Sequence, residues 1–149
     1  MAIYNREVME ASVTFDLVAR TLEEQQAWLV ARSGAHPAIV AVDRATAAIV
    51  GFGSLSPYRE RPAYSTSVED SVYVHADHRG RGVGRVLLDE LIRLGTAHGF
   101  HTIIGRVVGG HTASIALHRS CGFEEVGTER EIGRKFGRWL DVVIMQRLL

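Results

Sequence analysis

At 149 residues the chain has the length of one domain, 1–149, with enough material for a proper core. Hydrophobic residues make up 46% and charged residues 23%, and Lys+Arg equals Asp+Glu at 17 each, so the basic excess of a nucleic-acid binder is missing. A lone cysteine, Cys121, excludes an internal disulfide, and neither a membrane-length apolar run nor a signal-peptide pattern is present; a cytoplasmic protein with no nucleic-acid and no membrane partner is expected.

In chain order, Ile3 to Met9 reads as a short helix and Ser12 to Val18 as a loop. Thr21-Leu22-Glu23-Glu24 is a capping box, in which Thr21 caps the N3 amide and Glu24 reaches back. The helix that follows is expected to bury Leu22, Leu29 and Val30 around Trp28 and to end near Gly34. Ala38 to Val42 and Ala47 to Leu55 read as a β-hairpin turning at Asp43-Arg44. Pro57 to Pro62 is a loop, and Tyr64 to His75 a long strand. Val83, Val86, Leu87, Leu91, Leu94 and Ala97 repeat at helical spacing up to a stop at Gly99. Thr102 to Val108 is a strand, apolar apart from Arg106, and Thr112 to Ser120 a helix stopped by Gly122. Phe123 to Ile132 and Trp139 to Leu148 are two last strands joined by a turn around Gly133 to Gly137. The order predicts an α/β fold (mixed α+β), one sheet with helices on both faces.

The richest segment is Arg79-Gly80-Arg81-Gly82-Val83-Gly84-Arg85, between the strand Val72-Tyr73-Val74 and a helix N-terminus. Unpaired helix N–H groups, the positive dipole end and glycines that admit close approach together make a pyrophosphate site. A Walker loop would need Lys and then Ser or Thr after Gly84, where Arg85 and Val86 stand. A dinucleotide fingerprint would need a third glycine at Arg85 and an acid about 20 residues on. Arg79, Gly82 and Gly84 fit instead an Arg/Gln-x-x-Gly-x-Gly/Ala pattern, which resembles the coenzyme A pyrophosphate loop of the GNAT N-acetyltransferase superfamily. The hexad by itself also fits a plain structural turn.

Further segments join it. Arg61-Pro62-Ala63-Tyr64, Val68-Glu69-Asp70-Ser71-Val72-Tyr73-Val74, Ser114-Ile115-Ala116-Leu117-His118 with Gly122-Phe123, Phe136-Gly137-Arg138-Trp139-Leu140-Asp141-Val142, and Ile3-Tyr4-Asn5 occur along the chain. Together they resemble the phosphinothricin N-acetyltransferases of the GNAT superfamily over nearly the whole chain. The resemblance implies a central mixed, splayed sheet flanked by helices. It also implies acetyl-CoA as co-substrate and a small amino-acid-like amine as acceptor: phosphinothricin, methionine sulfoximine or methionine sulfone. A homodimer is implied as well. Members carry a first strand and a turn before the Ile-Tyr-Asn helix; here the chain starts almost at that helix, so either the first strand is missing or truncated, which would open a sheet edge, or the true start lies upstream.

The same resemblance assigns roles. Glu69 would be the general base and His118 the acid or positioning group. Val72, Tyr73 and Val74 would bond the pantetheine arm, the Arg79–Arg85 turn the pyrophosphate, and His111, where relatives have Asn, the pantetheine region. Arg61, Tyr64 and Trp139 would face the acceptor. Read from residues alone, Glu69 is also a solvated strand carboxylate, His118 a packed helix histidine, Arg61 a surface-loop residue and Trp139 a buried hairpin aromatic. His75/His78 and His98/His101 lack a third ligand, so no metal is expected. Two other functions stay open: transfer to a different amine or a protein N-terminus, and a non-catalytic coenzyme A sensor.

Overall fold

The computed structural model describes every residue except Ser33. Four helices, α1 (Ala2–Glu10), α2 (Leu22–Val30), α3 (Val83–Ala97) and α4 (Thr112–Ser120), flank six strands. These are β1 (Ala38–Val42), β2 (Ile49–Pro57), β3 (Ser67–Val74), β4 (Thr102–Val108), β5 (Glu124–Lys135) and β6 (Arg138–Leu148). They form one sheet in the order β1-β2-β3-β4-β6-β5, antiparallel except for β3 beside β4. β1 and β5 are its edges. Among the described residues no helix is long and apolar enough to cross a membrane.

Each face of the sheet has its own packing. On one, α3 buries Leu88, Leu91 and Ile92 against Leu55, Val68, Ile103, Val107 and Met145, with Cys121 and Phe123 closing the layer. On the other, Tyr4 of α1 meets Tyr73 edge-on at 5.2 Å, and Tyr73 stacks on Phe52 at 5.1 Å. Asn5 holds the chain behind α1 in place: its amide donates to the Arg20 carbonyl and its oxygen accepts from Arg20 N–H. Two glycines set helix limits by their backbone alone. Gly82 (φ +82°) makes the left-handed turn into α3, and Gly122 (φ +80°) ends α4.

Four expectations need correction. The capping box at Thr21 and Glu24 is made, but α2 buries no residue and ends at Val30, short of Gly34. Leu22, Leu29 and Val30 are 61%, 49% and 82% exposed. Among the described residues α2 is held by Trp28, edge-on to Phe52 at 6.5 Å under the guanidinium of Arg32, and by Gln25, which accepts from Arg20 Nη1 at 3.3 Å. β2 begins at Ile49 because Ala47 (φ +57°) still belongs to the turn, where Asp43 accepts from the Ala45 and Thr46 amides. β3 begins at Ser67, since Pro62–Tyr64 forms a 3₁₀ turn. β5 runs on to Lys135, carrying an irregularity between Glu129 and Gly133, and leaves only Phe136-Gly137 for the turn.

Candidate active site

The sheet forks between β3 and β4. The two strands pair only from Ser67/Thr102 to Asp70/Gly105. Beyond that point β3 stays with β2 as far as Val74, and β4 stays with β6 as far as Val108. Ser71 to Val74 therefore keep one backbone edge without a strand partner, which is an accessible ladder for an extended ligand. A cavity of about 750 Å³ fills the fork. Ser71–Val74 line one wall, Arg106–Val108 the other, and Ser114, Leu117 and His118 of α4 the floor. Gly82, Val83, Gly84 and Arg85 close its far end with the N-terminus of α3.

That end suits an anion. Gly82 at φ +82° caps α3 without a side-chain hydrogen bond, so the first amides of the helix keep their donors for a ligand. Gly84 serves packing instead. A Cβ there would lie 3.0 Å from Leu117 Cδ2, so its absence lets α3 and α4 approach. The guanidinium of Arg79 is already engaged. Its Nε donates to the Val74 carbonyl at 3.2 Å, and it is ion-paired with the buried Glu7 of α1. His111 lines the cavity at the start of α4, and burial followed by the charge of Arg79 pulls its pKa below the ordinary value. Gly80 lines the cavity, whereas Arg81 does not.

At the root of the fork stand two ionisable groups, one on each sheet face. Glu69 is half-buried and lines the cavity; burial raises its pKa above the ordinary carboxylate value, opposed first by the charge of Arg106. His118 is buried on the opposite face. Its Nδ1 donates to the Ser114 carbonyl at 2.8 Å and its Nε2 lies 3.2 Å from Asp70 Oδ2. Burial alone would lower its pKa, but the Asp70 hydrogen bond and charge and the Ser114 carbonyl outweigh it and hold the value above 6.5. Gly105 is what makes the pair fit. A Cβ on it would sit 2.7 Å from His118 Cδ2 and Nε2 and 3.1 Å from Asp70 Oδ1.

A free strand edge, a helix N-terminus with unused amides and two ionisable side chains therefore share one cleft, which can hold an extended ligand by its backbone-like amides and its anionic end. Residues 3–123 match the family model described as Acetyltransferase (GNAT) family. The chain belongs to the GNAT acetyltransferases. It is 41% identical, over 99% of its length and 87% of the other, to a phosphinothricin N-acetyltransferase of Streptomyces coelicolor. It is 39% identical, over 98% of its length and 85% of the other, to an L-methionine sulfoximine/L-methionine sulfone acetyltransferase of Pseudomonas aeruginosa. Among solved structures, a GNAT superfamily phosphinothricin acetyltransferase from Sinorhizobium meliloti in complex with acetyl-CoA superposes with a TM-score of 0.95, at 39% identity over 99% of this chain and 80% of that one.

Most residues singled out from the sequence of this GNAT acetyltransferase converge on the fork: Glu69, His118, Val72, Tyr73, Val74, Arg79, Gly80, Gly82, Val83, Gly84, Arg85 and His111 all line it. Arg61, Tyr64 and Trp139 lie outside the lining. Arg61 and Tyr64 belong to the exposed 3₁₀ turn, where Tyr64 meets Tyr58 edge-on at 5.5 Å. Trp139, expected also as a buried aromatic, is 60% exposed beneath Arg134. Four residues with site contacts are not evident from sequence as site residues: Glu7, Asp70, Gly105 and Arg106. Arg106 alone has a signal there, as the one charge in an apolar strand. No group of three or more metal-ligating side chains occurs among the described residues.

Proposed function

We propose that this GNAT acetyltransferase moves acetyl from acetyl-CoA to the primary amine of a small amino-acid-like acceptor by direct attack in a ternary complex. Phosphinothricin, methionine sulfoximine and methionine sulfone are the acceptors its relatives' names point to. The observation that carries the reading is that Glu69 and the α3 N-terminus line opposite ends of one forked cavity. The fork fits the coenzyme. The free edge of Ser71–Val74 can bond pantetheine amides as a strand would, and the Val83, Gly84 and Arg85 amides can take the pyrophosphate. Arg79, bound to Glu7, braces that turn.

Acetyl-CoA, when bound, supplies the thioester. Glu69 takes a proton from the acceptor ammonium, which frees the nitrogen lone pair to form the N–C bond, and the surplus proton on nitrogen leaves to solvent after the attack. A backbone N–H at Val72 serves the oxygen that gains charge. As the C–S bond breaks, the sulfur needs a proton. Nδ1 of His118 is committed to Ser114, so the mobile proton is the one between Nε2 and Asp70. Each group returns to its starting state by exchange with solvent, and the sum is amine plus thioester giving amide plus thiol. The acceptor contacts of Arg61, Tyr64 and Trp139 draw no support from the lining of the cavity. A homodimer belongs to the same proposal; Phe136 and Trp139, each 60% exposed on the last hairpin, offer apolar surface for it, and light scattering on eluting protein tests it.

The deciding experiment is free-thiol release from acetyl-CoA with a panel of phosphinothricin, methionine sulfoximine, methionine sulfone, ordinary amino acids and simple amines. Turnover with one of the first three supports the acceptor class. Coenzyme binding without release on any amine overturns it in favour of a sensor.

A further inference from the structure

We infer that Arg106 is the carboxylate clamp of the acceptor site, so that this enzyme selects α-amino acids over amines without a carboxylate. The inference rests on the acetyl-transfer reading above. Arg106 is the one charged residue of β4 and the one exposed residue in a strand that is otherwise buried, so its guanidinium is open to a ligand. The register puts it beside the base. Glu69 pairs with Ile104, and Ile104 and Arg106 share a face by strand alternation, so Arg106 and Glu69 stand on the same face of the sheet. Both line the fork, and Arg106 is the strongest charge acting on the Glu69 carboxyl.

Substrate chemistry asks for such neighbours. An α-amino acid carries its amine and its carboxylate on one carbon, so an amine delivered to Glu69 brings the carboxylate within reach of an adjacent cation. Arg61, the cation expected from the sequence to hold the acceptor, is exposed outside the cavity. Arg106 is also only partly spent. Its Nη2 donates to Glu129 of β5, which leaves Nε and Nη1 free of protein acceptors among the described residues, and both side chains are about one-third exposed at 31% and 34%. A guanidinium of this kind can grip a carboxylate with two parallel donors. Glu129 competes with an acceptor carboxylate for that guanidinium.

That competition supplies the test. Methionine sulfone and its decarboxylated counterpart, 3-(methylsulfonyl)propylamine, are compared at a pH where Glu69 is ionised, since Arg106 also acts on that base. Arg106→Ala should raise KM for methionine sulfone about 10- to 100-fold, the loss expected of a charge-assisted bond, and raise it far less for the amine and for acetyl-CoA. Glu129→Gln should lower KM for methionine sulfone, about 2- to 5-fold, by removing the competitor. Opposite signs from the two halves of one ion pair support the clamp. An equal KM rise for both acceptors in Arg106→Ala, or the same sign in both variants, overturns it and leaves a structural bridge. Absence of turnover by the wild-type enzyme with every amine is a different failure: it defeats the transfer reading and the clamp with it.

Discussion

Asp70 and His118, 48 residues apart, meet at the last paired position of β3 and β4 with Nε2 and Oδ2 3.2 Å apart. The Ser114 carbonyl can only accept, so Nδ1 must carry a proton. Below the raised pKa of His118, Nε2 carries a proton toward the Asp70 carboxylate, so the buried pair has no net charge, which is the arrangement a low-dielectric site tolerates. Asp70→Asn keeps the shape and removes the shared proton. His118 should become a neutral Nδ1–H imidazole with a pKa below 6.5, where the wild-type value lies above it. Stability follows the sign of that shift. A raised histidine pKa stabilises the fold fully below the unfolded value and loses this contribution as pH rises through the folded value, so the wild type should show a decline above pH 6.5 that the variant lacks. Ring-nitrogen NMR and urea melts across pH check both. An unchanged His118 titration in the variant would refute the shared proton.

Gly105 carries a second consequence of the same contact. Its backbone needs no left-handed conformation; what it needs is the absence of a Cβ, which would lie 2.7 Å from the His118 ring. Gly105→Ala should therefore push the ring off Asp70 and cost about 1–3 kcal/mol of overpacking. The expected readouts are a lower urea midpoint and a His118 titration that has moved toward that of Asp70→Asn. Wild-type stability and an unmoved ring would show that the fork can yield at this point.

Gly82→Val tests the proposed coenzyme turn. No atom lies within 4 Å of a Cβ built on Gly82, so the objection is to the backbone: φ is +82°, where a β-branched residue is strained. The turn into α3 should distort and take the ligand-facing amides with it. Calorimetry should show coenzyme A binding weakened at least tenfold, with the melting temperature changed much less. Normal binding would mean that the turn is only a helix start.

Local signals make much of this molecule readable from its sequence. Thr21 and Glu24 announce α2, Gly82 and Gly122 punctuate α3 and α4, and the Val68–Val74 and Arg79–Gly84 segments lie along the forked cleft. What stays hidden depends on distance along the chain. Glu7 meets Arg79 across 72 residues and Asp70 meets His118 across 48, and neither acid sits in a spacing that predicts its partner. Gly105 in an apolar strand looks like a weak point until its neighbours are known. The exposure of Leu22, Leu29 and Val30 is invisible to periodicity, which describes a helix face and says nothing of how much sheet lies beneath it.

Glu69 offers the most direct test of the chemistry. Burial raises its pKa, and the Asp70 and Glu129 carboxylates add to the effect, while Arg106 and then Arg59 oppose it. A base must be ionised to act, so kcat/KM should climb with pH through a value above the ordinary 4.5 of a glutamate and then level off. The stability sign follows from the unfolded chain. With a raised carboxyl pKa the unfolded chain sheds its proton first, so stability falls as pH rises from the unfolded value to the folded one. Glu69→Gln keeps size and polarity but cannot accept the amine proton. It should lower kcat about 10²- to 10⁴-fold, remove the acid limb of the rate profile and leave the affinity for acetyl-CoA nearly intact. A full-speed variant at saturating amine would move the base elsewhere. In that outcome an acceptor that reaches the fork already deprotonated, with Val72 and the Asp70–His118 pair doing the rest, becomes the reading to pursue.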